Sequence, residues 1–377
     1  RMSAGFGAAG IYSLATSIYA MFSPISHYRT YTYQISDVRH QFNVGEYLSF
    51  RITTCVICLL TVAGYTLFTC GEDCFVSVLL FSIWKLASMI IDVFHATDQQ
   101  NHRMDIIGKS LSLQGFLSLL IFAVIYPLLK DLDIVLGLMA VSTIGVCFIF
   151  DIPQTLKLAD ISFRFDIRRI KSLFIICLPA VLGNIAYSAS SSLPRQFLAN
   201  IMGSDSLGIY ASIAAPVAIL QTGAAYIYNP LIGYYAERYE DNDIKGFISL
   251  LARAMGGVLL LGLIASITLY FIGPLLLTIL YGTQISSYSN LLSLLIPASL
   301  GMGLTGFFND LLVALRAFKE GFISNVLALL VTLLLSNRFI NSFGMNGVSL
   351  VMILSCGISF IYMLSVLFAL LRKKKSD

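Results

Sequence analysis

The sequence predicts an all-α polytopic membrane protein, two pseudo-symmetric helical lobes around a central cavity, with about 11 transmembrane helices of an expected 12. Three observations predict it. The composition is 57% hydrophobic and 12% charged, with a mean hydropathy of +0.83, whereas a soluble domain carries about 25% charged residues. Apolar runs long enough to cross ~30 Å of hydrocarbon recur along the whole chain. Lys and Arg gather on alternate loops, a distribution that sets orientation in a membrane and does not point to nucleic acid.

Taken in order, the apolar runs place helices at 8–28, 50–69, 76–97, 110–128, 134–150, 172–199, 207–230, 248–272, 288–315, 320–337 and 345–371. Near Gly273-Pro274 the eighth helix bends and continues toward residue 280, because proline removes a backbone donor from a helix interior. Loops 29–49, 98–109, 151–171 and 231–247, the turn 316–319 and the tail Arg372-Lys373-Lys374-Lys375 are basic. Those between them are nearly free of Lys and Arg, with Lys130 and Arg338 as exceptions. Basic loops and the C-terminus therefore belong in the cytoplasm.

A repeat divides the chain. Gly203 and Gly208-Ile209-Tyr210 are echoed by Gly5 and Gly10-Ile11-Tyr12, each followed by an apolar segment and then a charged loop. The domains expected are an N-terminal transmembrane lobe over 1–150, a cytoplasmic linker over 151–171 and a C-terminal lobe over 172–377. Because the pattern keeps its direction, the two lobes should be related by a pseudo-two-fold axis along the membrane normal. The second copy is preceded by the segment 172–199 and the first begins near Arg1, so the first lobe is expected to lack its first helix.

Catalytic signatures are absent: no GxxxxGK[ST] loop, no HExxH and no GxSxG elbow occurs. No enzyme is expected, and without a large extramembrane loop a glycosyltransferase or polymerase has no surface on which to position donor and acceptor. Energy for pumping would come from an ion gradient, such as Na+ or H+, from a membrane potential or from the substrate's own gradient, and no cofactor is expected. Cys55 and Cys58 have the spacing of a redox pair but sit in an apolar helix without companions, which favours a buried apolar role. Cys70 and Cys74 flank an outer loop and could pair in an oxidising compartment. The four histidines show no ligand-like spacing, so no metal site is expected.

What remains is polar chemistry inside helices, concentrated in the stretch Leu173 to Tyr235. Here Pro179, Asn184, the run Ser188 to Ser192 and the pair Pro194-Arg195 interrupt an apolar segment. An arginine there must snorkel, pair or face a wet cavity. Lys85 and Asp92 stand seven residues apart on one helix, on a similar face but about 10 Å apart along the axis, too far for a direct pair. Arg29 is either an ordinary interfacial cation or a guard of the inner mouth. Candidate substrate-binding residues are Arg195, Lys85, Asn184, Asp92 and Arg29. Cations with few carboxylates favour an anion, and phosphate oxygens suit them.

The chain resembles the bacterial polysaccharide-biosynthesis flippases, the O-antigen and lipid-linked oligosaccharide transporters of the multidrug/oligosaccharidyl-lipid/polysaccharide exporter superfamily. The resemblance is carried by Gly5 to Ala15 with Phe22-Ser23-Pro24, Leu178-Pro179, Leu193-Pro194-Arg195, Met202-Gly203, Gly208-Ile209-Tyr210, Pro216, and Ile279 to Gly282 followed by Leu294 to Ala298. It implies alternating access and the flipping of undecaprenyl-diphosphate-linked sugar units, for lipopolysaccharide or another surface polysaccharide, across the bacterial inner membrane. Implied partners are the lipid-linked oligosaccharide, a polysaccharide polymerase and a chain-length regulator, and no nucleic acid. Two other readings stay open: a cation-coupled multidrug exporter of the same superfamily, or a non-transporting membrane scaffold of a polysaccharide assembly complex.

Overall fold

A computed structural model describes residues 5–69, 72–162, 165–281 and 288–376, and the described residues are helical almost throughout. In chain order the helices are α1 (Gly5–His27), α2 (Thr30–Ile35), α3 (Val44–Thr69), α4 (Glu72–Gln100), α5 (Met104–Leu129) and α6 (Leu132–Thr155). They continue with α7 (Ile167–Gly203), α8 (Ser206–Glu240), α9 (Ile244–Tyr281), α10 (Ser289–Ala314), α11 (Phe318–Phe343) and α12 (Met345–Ser376). Among the described residues, 10 stretches, on α3 to α12, are long and apolar enough to cross a membrane. With the 23 residues of α1, which reach about 35 Å at 1.5 Å per residue, the eleven expected spans are all present. The chain is a multi-pass membrane protein.

The chain divides into two compact units, Arg1–Leu178 and Pro179–Asp377, which part inside α7. The first unit packs α1, α3, α4, α5 and α6 around Ile18, Cys58, Val78, Phe81, Leu136 and Met139. Phe81 meets Tyr12 and Tyr19 edge-on, with ring centroids 5.5 and 6.0 Å away. Apolar side chains on the other faces stay uncovered, such as Phe116 at 62% and Ile149 at 81% exposure, as expected for surfaces solvated by lipid.

The second unit is held by small and hydroxyl-bearing contacts, which let helices approach closely and satisfy one another's backbone groups in lipid. Its core includes Leu198, Tyr210, Ile213, Leu277, Leu292 and Met352. Tyr187 donates to the Met302 carbonyl at 2.8 Å, tying α7 to α10, and the Tyr210 and Ser349 hydroxyls meet at 2.9 Å between α8 and α12. Asn309 and Asn325 exchange amide hydrogen bonds of 3.2 and 2.6 Å between α10 and α11. At Gly183 an added Cβ would lie 3.2 Å from the Phe322 Cα, so only glycine allows α7 to approach α11 there without displacement.

Two loops are more ordered than expected. Segment 29–49 contains α2, whose Gln34 amide donates to the Val93 carbonyl (2.9 Å) and the Thr97 hydroxyl (3.0 Å) of α4. It also contains the first turn of α3, where Asn43 and Glu46 form a reciprocal cap: the Asn43 side chain accepts from Glu46 N at 2.8 Å, and Glu46 accepts from Asn43 N at 3.0 Å. Segment 231–247 continues α8 to Glu240, because Tyr235 is buried against Phe247 and Phe307, with centroids 5.2 and 5.8 Å away. Cys55 and Cys58 are buried free thiols near the Leu86 and Phe22 carbonyls. The proposed partner of Cys74, Cys70, lies outside the described residues, as do Arg164 and the turn 282–287.

α5 and α6 each contain one π-helical turn, Ile121–Ile125 and Cys147–Asp151, and each turn ends two residues before a proline, Pro127 and Pro153. The proline ring cannot accommodate the carbonyl four residues earlier, and the wider turn relieves that clash. At Gly203, between α7 and α8, φ is 86° and ψ 167°, a backbone region that belongs almost exclusively to glycine. This break falls in the turn 203–206 expected from the sequence.

Candidate functional site

Lys85, Ser88, Asp92, His95 and Gln99 follow one another on α4 at steps of three and four residues, so they form a single polar stripe along the helix. Lys85, at the apolar end, is half-buried, and its ammonium stands over the Trp84 ring at 3.8 Å and near the Phe81 ring at 5.6 Å. Both aromatic partners belong to α4 itself. Asp92 does meet other helices. Its charged neighbours are Arg51 of α3, His95 of α4 and His27 of α1.

Arg51 was not legible as a functional candidate, yet it is among the largest fully buried side chains, with 1% exposure. Its guanidinium donates to the Ser26 and His27 carbonyls, the latter at 2.8 Å, and Nε has no hydrogen-bond partner. The two carbonyls are exposed to it because α1 ends here. Tyr28 and Arg29 both adopt positive φ, 38° and 55°, and Pro24 lies one turn before. Arg29 precedes α2 in this left-handed conformation, half-buried at the end of α1. The signal that could have found Arg51 is the Asn43-Val44-Gly45-Glu46 capping box, which starts α3 at Val44 and puts Arg51 about 10 Å inside the helix.

A second polar stripe runs along the part of α7 that belongs to the second unit. Asn184, Ser188, Ser191 and Arg195 recur at steps of four, three and four residues, on a face distinct from the exposed apolar face of Leu178, Leu182 and Ile185. Arg195 is half-buried, its Nε is buried without a hydrogen-bond partner, and the Tyr210 phenol is an electrostatic neighbour. Among the described residues it forms no ion pair. The predicted residues thus fall into two groups, Lys85, Asp92 and Arg29 in the first unit and Asn184 and Arg195 in the second. Among the described residues no group of three or more His, Cys, Asp or Glu side chains is arranged to hold a metal ion.

This fold is found in known transporters. The chain superposes on the outward-facing conformation of a multidrug resistance MATE family transporter of the MOP superfamily with a TM-score of 0.71 and 14% identity, covering 100% of this chain and 91% of that one. A Vibrio cholerae MATE transporter, VcmN, gives 0.74 at 16% identity over 98% and 89% of the two chains. A Pyrococcus furiosus MOP superfamily transporter, whose binding pocket has reversed polarity, gives 0.68 at 14% identity over 96% and 88%. The protein therefore has the two-lobed fold of these MATE transporters. In sequence it is similar to the capsular polysaccharide biosynthesis protein CapF of Staphylococcus aureus, 24% identical over 318 residues, 84% of this chain and 80% of that protein. No protein-family model matches the chain.

Proposed function

We propose that the protein is a flippase of the MOP superfamily that moves a polyprenyl-diphosphate-linked oligosaccharide, the repeat unit of a surface polysaccharide, across the bacterial inner membrane by alternating access. The observation that carries the reading is Arg195: a cation on a polar stripe inside a membrane helix, beside serine, asparagine and tyrosine groups, with a buried Nε that no acceptor satisfies. Such a side chain is costly in lipid until it meets water or an anion, and a diphosphate supplies charge-assisted acceptors. Lys85 is the second phosphate contact, Asp92 and Asn184 shape the polar path, and Arg29 guards its inner mouth. The C-terminal Arg372 to Lys375 lies in the cytoplasm, and an ion gradient energises the cycle. Similarity to a capsular polysaccharide biosynthesis protein supports the substrate class.

The direct test reconstitutes the purified protein in liposomes with a fluorescent polyprenyl-diphosphate saccharide and follows its accessibility to a leaflet-specific reagent. Protein-dependent loss of asymmetry supports the reading, and no exchange by a folded protein under either a proton or a sodium gradient rejects it. A cation-coupled multidrug exporter is the second reading, favoured by the fold shared with a multidrug resistance transporter and by the carboxylate of Asp92 within a membrane helix. In that case a cationic drug, and not the lipid-linked saccharide, would be transported.

A further inference from the structure

Along α9 one face is left uncovered by the rest of the described chain. Lys245, Ser249, Arg253 and Gly256 lie on it at steps of four, four and three residues, and all four are exposed. The same stripe continues at steps of three and four through Leu260, Ile264, Ile267 and Phe271, which are 57, 56, 52 and 74% exposed. The opposite face is packed, with Phe247 and Val258 fully buried and Ala254 2% exposed. There Leu261 fits against Gly223 of α8, and Leu300 of α10 against Gly262. The helix is thus anchored on one side and open to lipid on the other.

The open face is polar over its first turns and apolar beyond, the same order as headgroup and hydrocarbon in a phospholipid. Arg253 stands nine residues into α9, about 13.5 Å along the axis, where its charge is costly unless it reaches water or an anion. Helical Cα–Cβ bonds tilt toward the N-terminus, which carries Arg253 back toward Ser249 and Lys245. Among the described residues neither the Lys245 nor the Arg253 side chain has an ion pair, hydrogen bond or ring contact. Asp243, just before α9, is held by Arg238 at 3.4 Å and by the Gly246 amide at 2.9 Å. Snorkelling accounts for Arg253 by itself. It does not account for a second unpaired cation and a hydroxyl on the same stripe, nor for the bare helix surface at Gly256, where an added Cβ would meet nothing within 4 Å.

We propose that this face of α9 binds an anionic glycerophospholipid, with Arg253 and Lys245 on the phosphate and headgroup oxygens, Ser249 donating between them, and an acyl chain along Leu260, Ile264, Ile267 and Phe271. The Cα atoms of the two cations are about 12 Å apart along the axis, a gap that two long side chains close on one headgroup. Charge selects the headgroup class: a zwitterionic lipid brings an ammonium that the two cations repel, whereas an anionic one offers phosphate without that repulsion. The apolar continuation selects a lipid over a free anion, because it gives the chain a surface to cover. The bound lipid fixes the depth at which α9 enters the membrane. The site is separate from the polar stripe of α7 and does not rest on the transport reading.

Native mass spectrometry of the delipidated protein in detergent, titrated with phosphatidylglycerol or phosphatidylcholine, tests the site without any transport substrate. Wild type should bind one phosphatidylglycerol in preference to phosphatidylcholine. Arg253→Gln and Lys245→Gln should each weaken that binding about fivefold, and the double variant should lose the preference. Arg253→Lys, which keeps the charge, should retain most of it, as should Arg338→Gln, which removes an exposed cation from α11. Because both α9 cations are exposed and unpaired, the variants should melt with wild type. Absence of a preference in wild type, which requires no variant to fold, overturns the proposal, as does an undiminished preference in the double variant or an equal loss in Arg338→Gln. Glycerol phosphate, which has the phosphate without the chains, should not compete; displacement of the lipid by it, or by an equimolar polyprenyl-diphosphate saccharide, would assign the face to a free anion or to the transport substrate and reject the phospholipid.

Discussion

The polar stripes of α4 and α7 look alike as sequence patterns but differ in what their charges meet. On α4, Asp92 is met by Arg51, His27 and His95, and His95 in turn by Asp151. On α7, Arg195 is accompanied by serines, an asparagine and a tyrosine hydroxyl. The first stripe has its counter-charges inside its own unit, so its removal should damage the structure. The second has none among the described residues, so its removal should damage transport and leave the structure largely intact.

The largest expected effect breaks the comparison on the α4 side. Arg51→Met should destabilise the protein severely, because removing one member of a buried charged set costs about 3–5 kcal/mol and strands the Ser26 and His27 carbonyls. Thermal unfolding in detergent and the amount of protein recovered from membranes measure it; a melting point equal to wild type would contradict the structural role.

Next in size is Gly203→Ala at the end of α7. Nothing lies within 4 Å of the added Cβ, so the cost is that of the backbone alone, about 1–3 kcal/mol. Gly208→Ala, also in open space but within the helix, is the control and should be neutral or slightly stabilising. Equal melting points for the two variants would show that the left-handed break is not required.

Smaller still is Lys85→Met. It should cost about 0.5–2 kcal/mol through the lost contact with the Trp84 ring and lower the flipping rate without abolishing folding. A variant that flips at the wild-type rate would remove Lys85 from the phosphate path. At the bottom of the range, Arg103→Ala should leave the melting point close to that of wild type, since the Arg103–Asp105 pair is exposed.

The sequence carried the fold further than the site. All eleven spans were legible because hydrocarbon thickness and hydropathy dictate them, and the break at Gly203 because glycine stands where the chain must turn. The start of α3 was placed six residues late, since Val44 to Ser49 reads as polar loop until Asn43 and Glu46 are seen as reciprocal caps. That displacement hid Arg51 by leaving it beside the first turn instead of two turns inside. The meeting of His27, Arg51, Asp92, His95 and Asp151 could not be read at all, because four helices contribute to it and no local spacing records long-range packing. Lys85 was found by its position, but its aromatic partners one and four residues earlier were overlooked.

The most direct test of the central claim is the flipping assay on Arg195→Ala and Arg195→Lys, each matched to wild type for abundance and melting point. Phosphate recognition predicts that the alanine variant folds and does not flip the lipid-linked saccharide, while lysine, which keeps the charge but loses the planar fork, retains part of the activity. Wild-type flipping by Arg195→Ala, and by the double variant Lys85→Ala with Arg195→Ala, would contradict the account.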